Sequence, residues 1–131
     1  MVLPNECVEM LLGADGKALA TAGFEGVNVV PVSSVRMHGD TILLVNYFFS
    51  QTLTNINENP NVSLAFWKGL SGYRVTATAE HITEGPVFDD VVAWIGKTIP
   101  DRVVKGVLML TPEKLFDISA GEGAGKRIDI G

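Results

Sequence analysis

Six runs rich in β-branched and small apolar residues follow one another along most of the chain: "KALATAG", "VNVVPVSSVRM", "TILLVNYFF", "NVSLAFWK", "YRVTATAEHIT" and "VKGVLMLT". They are separated by "FEG", "HGD", "NENP", "GLSG" and one longer insert. Glycine in the short breaks supplies the positive backbone angles of tight hairpins, so the second and third runs are expected to be antiparallel neighbours. "TILLV" and "GVLML" are apolar on both faces instead of alternating, and each therefore needs cover on two sides. This pattern predicts a mainly β, six-stranded antiparallel barrel with one face of each strand inside. The other face needs helices or a second subunit. Left open, it would exceed the roughly few hundred Å² of contiguous apolar surface usual on soluble monomers, so a homodimer is expected.

Three short helices are expected to flank the strands. Pro4 and Gly13 bracket residues 4–12, with Val8, Leu11 and Leu12 on the buried side and Cys7 as a core or interface residue. The insert "GPVFDDVVAWIGKTIP" starts at Pro86 and carries Val87, Val91, Trp94 and Ile95 at helical spacing. Asp89 and Asp90 sit in its first turn, where the helix dipole favours acids, so they need no catalytic explanation. The C-terminal "TPEKLFDISAGEGAGKRIDIG" reads as a turn, a short strand "KLFDI" and a glycine-rich tail.

The third helix directly follows an apolar strand: "SQTLTNINENP", residues 50–60. Ser50 is a good N-cap, Leu53 and Ile56 can face the core, and Pro60 stops the helix at or before Asn59. Its first unpaired backbone N–H groups belong to Gln51, Thr52 and Leu53, edged by two hydroxyls and one amide. Such an entrance suits an anion, phosphate above all.

Other chemistry finds little support. At 131 residues the chain, residues 1–131, is expected to be one domain. A net charge of −5 with scattered Lys and Arg argues against a nucleic-acid partner. No apolar run reaches the roughly 18 residues of a membrane helix and no signal peptide opens the chain, so no membrane association and a cytoplasmic location are expected. The single Cys7 excludes an internal disulfide, a zinc ribbon or an iron–sulfur site made by this chain alone. His38 and His81 lack metal-ligand spacing, and no metal site is expected. "GEGAGK" resembles a phosphate loop only superficially, because Lys126 is followed by Arg127 in place of Ser or Thr. No nucleophile, general acid or general base can be assigned.

The order of elements in "GKALATAGFEGVNVVPVSSVRMHGDTILLVNYFFSQTLTNINENPNVSLAF" resembles the pyridoxamine 5'-phosphate oxidase-like, FMN-binding split-barrel family, in particular its small flavoproteins. "GVLMLTPEKLFDISAGEGAGKRI" is similar to the closing strand and tail of that group. The resemblance implies an FMN-binding flavoprotein, with phosphate held at Val32, Ser33 and Ser34, at Val45, Asn46 and Tyr47, and at Ser50, Gln51, Thr52 and Asn55. It implies a homodimer with aromatic cover of the flavin ring; Trp94, Trp67, Tyr47 and Phe116 are candidates. Many relatives carry Lys or Arg where Gln51 stands, so the charge must come from elsewhere, with Arg36 and Arg74 as candidates. The family implies a flavin-dependent oxidoreductase working with a small-molecule or redox-protein electron donor or acceptor. Non-catalytic electron transfer and a flavin-free binding module are the alternatives. Pyridoxine phosphate is disfavoured as substrate, since a second phosphate needs its own anchors.

Overall fold

The computed structural model describes residues 1–130. Helix α1 (Asn5–Gly13) leads into strands β1 (Gly16–Gly23), β2 (Gly26–Pro31), β3 (Val35–His38) and β4 (Thr41–Asn46). Helix α2 (Gln51–Glu58) follows, then β5 (Asn61–Lys68), β6 (Ser71–Ile82), helix α3 (Pro86–Thr98), β7 (Gly106–Asp117) and the short β8 (Arg127–Ile128). Hairpins form at both short glycine breaks: β1 pairs antiparallel with β2, and β3 with β4. Gly39, at φ +58°, provides the left-handed residue of the "HGD" turn.

The strands hydrogen-bond in the order β2-β1-β5-β6-β7-β4-β3, with β8 added to β7. The two ends of that order, β2 and β3, are consecutive in sequence. They are halves of the one expected strand "VNVVPVSSVRM", bent between Pro31 and Val35 so that each half meets a different partner. The Val32 amide bonds the Lys17 carbonyl (3.0 Å), and the Val45 amide bonds the Ser34 carbonyl (3.1 Å), which closes the sheet on itself. Counted this way, and leaving β8 aside, the barrel has the six antiparallel strands expected.

Two further boundaries depart from expectation. "KLFDI" is not a separate strand: β7 runs through Pro112 to Asp117. The register slips between Thr76 and Ala77 of β6, leaving Glu113 extra on β7, and this bulge accommodates a proline that cannot donate to the ladder. In α1 the buried residues are Cys7 and Leu11, while Leu12 is 53% exposed. Leu3, Cys7 and Leu11 recur every four residues on one face, and Leu12 is turned about 100° away from Leu11.

Inside the barrel, Leu19, Ile42, Leu44, Leu64, Phe66, Val75, Leu108 and Leu110 are fully buried, with Cys7 and Leu11 packed against them. On the other face of β4 and β7, Leu43, Val45, Tyr47 and Val107 are covered by Val91 and Ile95 of α3. Burial of each of these two α3 side chains contributes about 1.5–3 kcal/mol. Helix α3 thus provides the second cover that "TILLV" requires. The outer face of β2 has no such cover, and Val27 and Val29 are 79% and 63% exposed.

Candidate cofactor site

The bend between β2 and β3, the C-terminal end of β4 and the entrance of α2 converge on one cleft of about 500 Å³. Its floor is apolar, from Val30, Pro31, Val32 and Val45, and Tyr47, Phe48 and Phe49 continue it toward the helix. Its polar lining comes from Ser33, Ser50, Gln51, Thr52, Arg102 and Asn28.

A turn links β4 to α2 and is fixed by Asn46. The Phe49 amide donates to Asn46 Oδ1 (2.8 Å), and the Lys105 amide donates to the Asn46 carbonyl (2.9 Å). The helix then starts at Gln51, with the Leu53 and Thr54 amides both donating to the Ser50 carbonyl. The Ser50 side chain makes no capping bond, so its hydroxyl is uncommitted. The Gln51 and Thr52 amides lie in the first turn and have no carbonyl partner within the helix.

The inner face of α2 is polar where a core helix is normally apolar. Thr52 and Asn55 are each 1% exposed. Asn28 Nδ2 donates to Thr52 Oγ1 (3.2 Å), Asn55 Nδ2 donates to Thr21 Oγ1 (3.0 Å), and Gln51 Nε2 donates to Asn55 Oδ1 (2.8 Å). Buried polar groups satisfied in this way fix the helix rigidly against β1 and β2. Ile56 is buried as expected, whereas Leu53 is only partly so.

Of the residues singled out from sequence, Val32, Ser33, Val45, Tyr47, Ser50, Gln51 and Thr52 line the cleft together. Ser34, Asn46 and Asn55 lie behind it. Ser34 Oγ is hydrogen-bonded to the Tyr47 hydroxyl (2.7 Å), so it orients the tyrosine that does line the cleft. Asn46 and Asn55 hold the turn and the helix as described.

The basic residue lining the cleft is neither of the arginines expected. Arg36 stacks on Trp94 (4.7 Å) and Arg74 on Phe116 (4.0 Å), and neither lines the cleft. Arg102 does, from the linker between α3 and β7. Its Nη1 donates to Ser33 Oγ (3.1 Å), and its guanidinium lies 4.9 Å from the Tyr47 ring centroid. The segment "IPDRVVK" has no periodicity and no neighbouring motif that would have singled it out. Of the candidate ring covers, Tyr47 alone lines the cleft; Trp67, Trp94 and Phe116 stand elsewhere on this chain. The glycine-rich tail also lies elsewhere, tied to the ends of β6 and β7 by bonds such as Ala120 N to the Leu70 carbonyl (2.8 Å).

Chemically, the cleft offers main-chain amides, hydroxyls and one guanidinium together with a largely apolar wall. That donor set fits a flat ring system bearing a phosphate. No carboxylate, imidazole or thiol is among the described residues lining it. Cys7 is remote, in the core, and burial together with the nearby Glu6 pushes its thiol up to about 12.

The sequence matches the family model for pyridoxamine 5'-phosphate oxidase over residues 3–124. It is 31% identical over 117 residues to an uncharacterised protein of Methanocaldococcus jannaschii, covering 84% of this chain and 77% of that one. HupZ of Group A Streptococcus has a similar structure (TM-score 0.81, 28% identity, 95% of this chain and 100% of that one). So does an FMN-binding protein of Syntrophomonas wolfei (TM-score 0.75, 21% identity, 89% of each chain). The fold is also that of HutZ, the haem storage protein of Vibrio cholerae (TM-score 0.69, 18% identity, 88% of this chain and 94% of that one).

Proposed function

Since the chain belongs to the pyridoxamine 5'-phosphate oxidase family, we propose that it is an FMN-binding flavoprotein and a flavin-dependent oxidoreductase. The observation that carries this reading is the convergence of the Ser33 bend, the Tyr47 turn and the entrance of α2 on one mainly apolar cleft that also presents hydroxyls, amides and a guanidinium. Bound FMN supplies the redox chemistry. The chain's own residues would bind and orient it: amides, hydroxyls and a guanidinium would hold the phosphate, and Val30, Val45 and Tyr47 would pack against the ring. With one cation in the cleft, a substrate carrying a second phosphate lacks an anchor, which disfavours pyridoxine phosphate.

The second reading is a non-catalytic electron carrier. It is favoured by the lack of a carboxylate, imidazole or thiol among the described lining residues. Either role needs a small-molecule or redox-protein electron partner. The protein is also proposed to form a homodimer. A shallow concavity on the outside of the sheet, including Ala20, Ala22, Val27, Ser63 and Phe116, supports this together with exposed Val27 and Val29. Ser63 Oγ is buried there without a partner.

Titration with FMN, followed by quenching of flavin fluorescence, tests the cofactor. Saturable binding supports the reading. No binding, or preferential uptake of haem with a Soret band, overturns it and leaves a binding module of another kind. On the FMN-loaded protein, rapid bleaching by NADH or NADPH supports the enzyme, whereas bleaching only by dithionite or a reduced redox protein supports the carrier.

A further inference from the structure

We infer that Arg102 is the cationic anchor of the cleft and makes it selective for ligands ending in a phosphate monoester. The inference rests on the cofactor-site reading above and adds the residue that sets ligand class. Arg102 is the one charged side chain among the described residues lining the cleft. The protein as a whole carries a net charge of −5, so its overall field repels an anion and attraction must be local.

Geometry holds the guanidinium ready. The Arg102 amide donates to the Ile99 carbonyl (3.1 Å), which curls the linker after α3. The side chain then crosses the Tyr47 ring and bonds Ser33 Oγ (3.1 Å), and Tyr47 is itself fixed by Ser34 (2.7 Å). One of five guanidinium N–H donors is used on Ser33. The others remain for a bidentate grip on phosphate oxygens. Residue 51 cannot perform this role: Gln51 is neutral and its side-chain amide is engaged by Asn55 Oδ1 (2.8 Å). Lys105 is held over Phe48 (5.2 Å) outside the lining of the cleft.

The test compares FMN with riboflavin, which has the same ring without the phosphate, on the full chain and on Arg102→Gln, Arg102→Lys and Arg36→Gln. Loss of a charge-assisted contact is expected to weaken FMN binding to Arg102→Gln by about 10- to 100-fold. Riboflavin affinity should stay within about twofold by the same arithmetic. Arg102→Lys should fall between, and Arg36→Gln should match the unmodified protein. Added salt should weaken FMN binding to the unmodified protein more than to Arg102→Gln. Unchanged FMN affinity in Arg102→Gln overturns the inference, and so does an equal loss of both ligands, which would mark a packing role on Tyr47. If the unmodified protein binds riboflavin as tightly as FMN, the inference falls while the flavin reading stands. If it binds neither, both fall.

Discussion

The side-chain nitrogen of Asn46 lies 3.3 Å from Nε2 of His81, although the two residues belong to strands that do not pair with each other. Strand β7 runs between them, and the residue opposite Asn46 is Gly106. Without a side chain there, the imidazole of β6 can lean across and meet the amide. Asn46 in turn fixes the turn that precedes the candidate cleft through the Phe49 amide (2.8 Å). A strand histidine whose sequence spacing pointed to no metal site therefore supports the candidate site from behind.

This pair makes stability depend on pH. Asn46 Nδ2 donates, so His81 must accept at Nε2 and be neutral. Partial burial lowers the His81 pKa from its ordinary 6.5, so the folded protein takes up a proton less readily than the unfolded chain. The stabilisation is fully present above 6.5 and is lost as pH falls from there through the lowered folded value. Urea midpoints of the full chain should fall over that range, and His81→Gln should remove this component of the pH dependence. An identical slope in His81→Gln would count against the coupling.

Gly106→Ala should destabilise the protein by about 1–3 kcal/mol, because a β-carbon there overlaps the His81 ring. Gly106 has no positive φ, so crowding and not backbone strain is the cause. The double variant Gly106→Ala/His81→Ala should therefore be less destabilised than the sum of its parts, as denaturant unfolding can measure.

Asn55→Ala should cost about 1–3 kcal/mol, since it strands the buried Thr21 hydroxyl and removes the acceptor of the half-buried Gln51 amide. Hydrogen exchange should then show α2 amides less protected, while β7 is little changed. Equal loosening of both elements would mean that Asn55 serves the whole fold and not the helix.

Cys7 should be inert to Ellman's reagent at pH 8 in the native protein and react promptly in denaturant. It is 0% exposed and its thiol is pushed to about 12. Rapid native labelling would show that α1 opens easily from the barrel.

Gln51→Glu should weaken FMN binding by at least about tenfold, because a carboxylate at a helix entrance opposes the phosphate charge. Affinity equal to that of the unmodified protein would place the phosphate at another part of the cleft.

Much of the architecture was legible in one dimension. Glycine in "FEG" and "HGD" placed two hairpins, two-sided apolar runs announced strands covered on both faces, and Ser50 and Pro60 bracketed α2. These signals are local: a turn residue or a hydrophobic period acts within a few positions of where it is written. The segments lining the cleft could be anticipated for the same reason, once their order matched that of a known family.

What only the tertiary structure decided was which distant groups meet. The chain's own pattern gave no reason for "VNVVPVSSVRM" to break into two halves on opposite ends of the hydrogen-bonding order, because closure of the barrel imposes that break. Nor could it show that Arg102 reaches Ser33, 69 positions away, while Arg36 and Arg74 stack on aromatics elsewhere. A long cation on an irregular linker carries no periodic signal, and its partner is set by how α3 packs over β4 and β7. The sequence by itself determined the strands, the turns and the polar helix entrance; packing decided where the positive charge is placed.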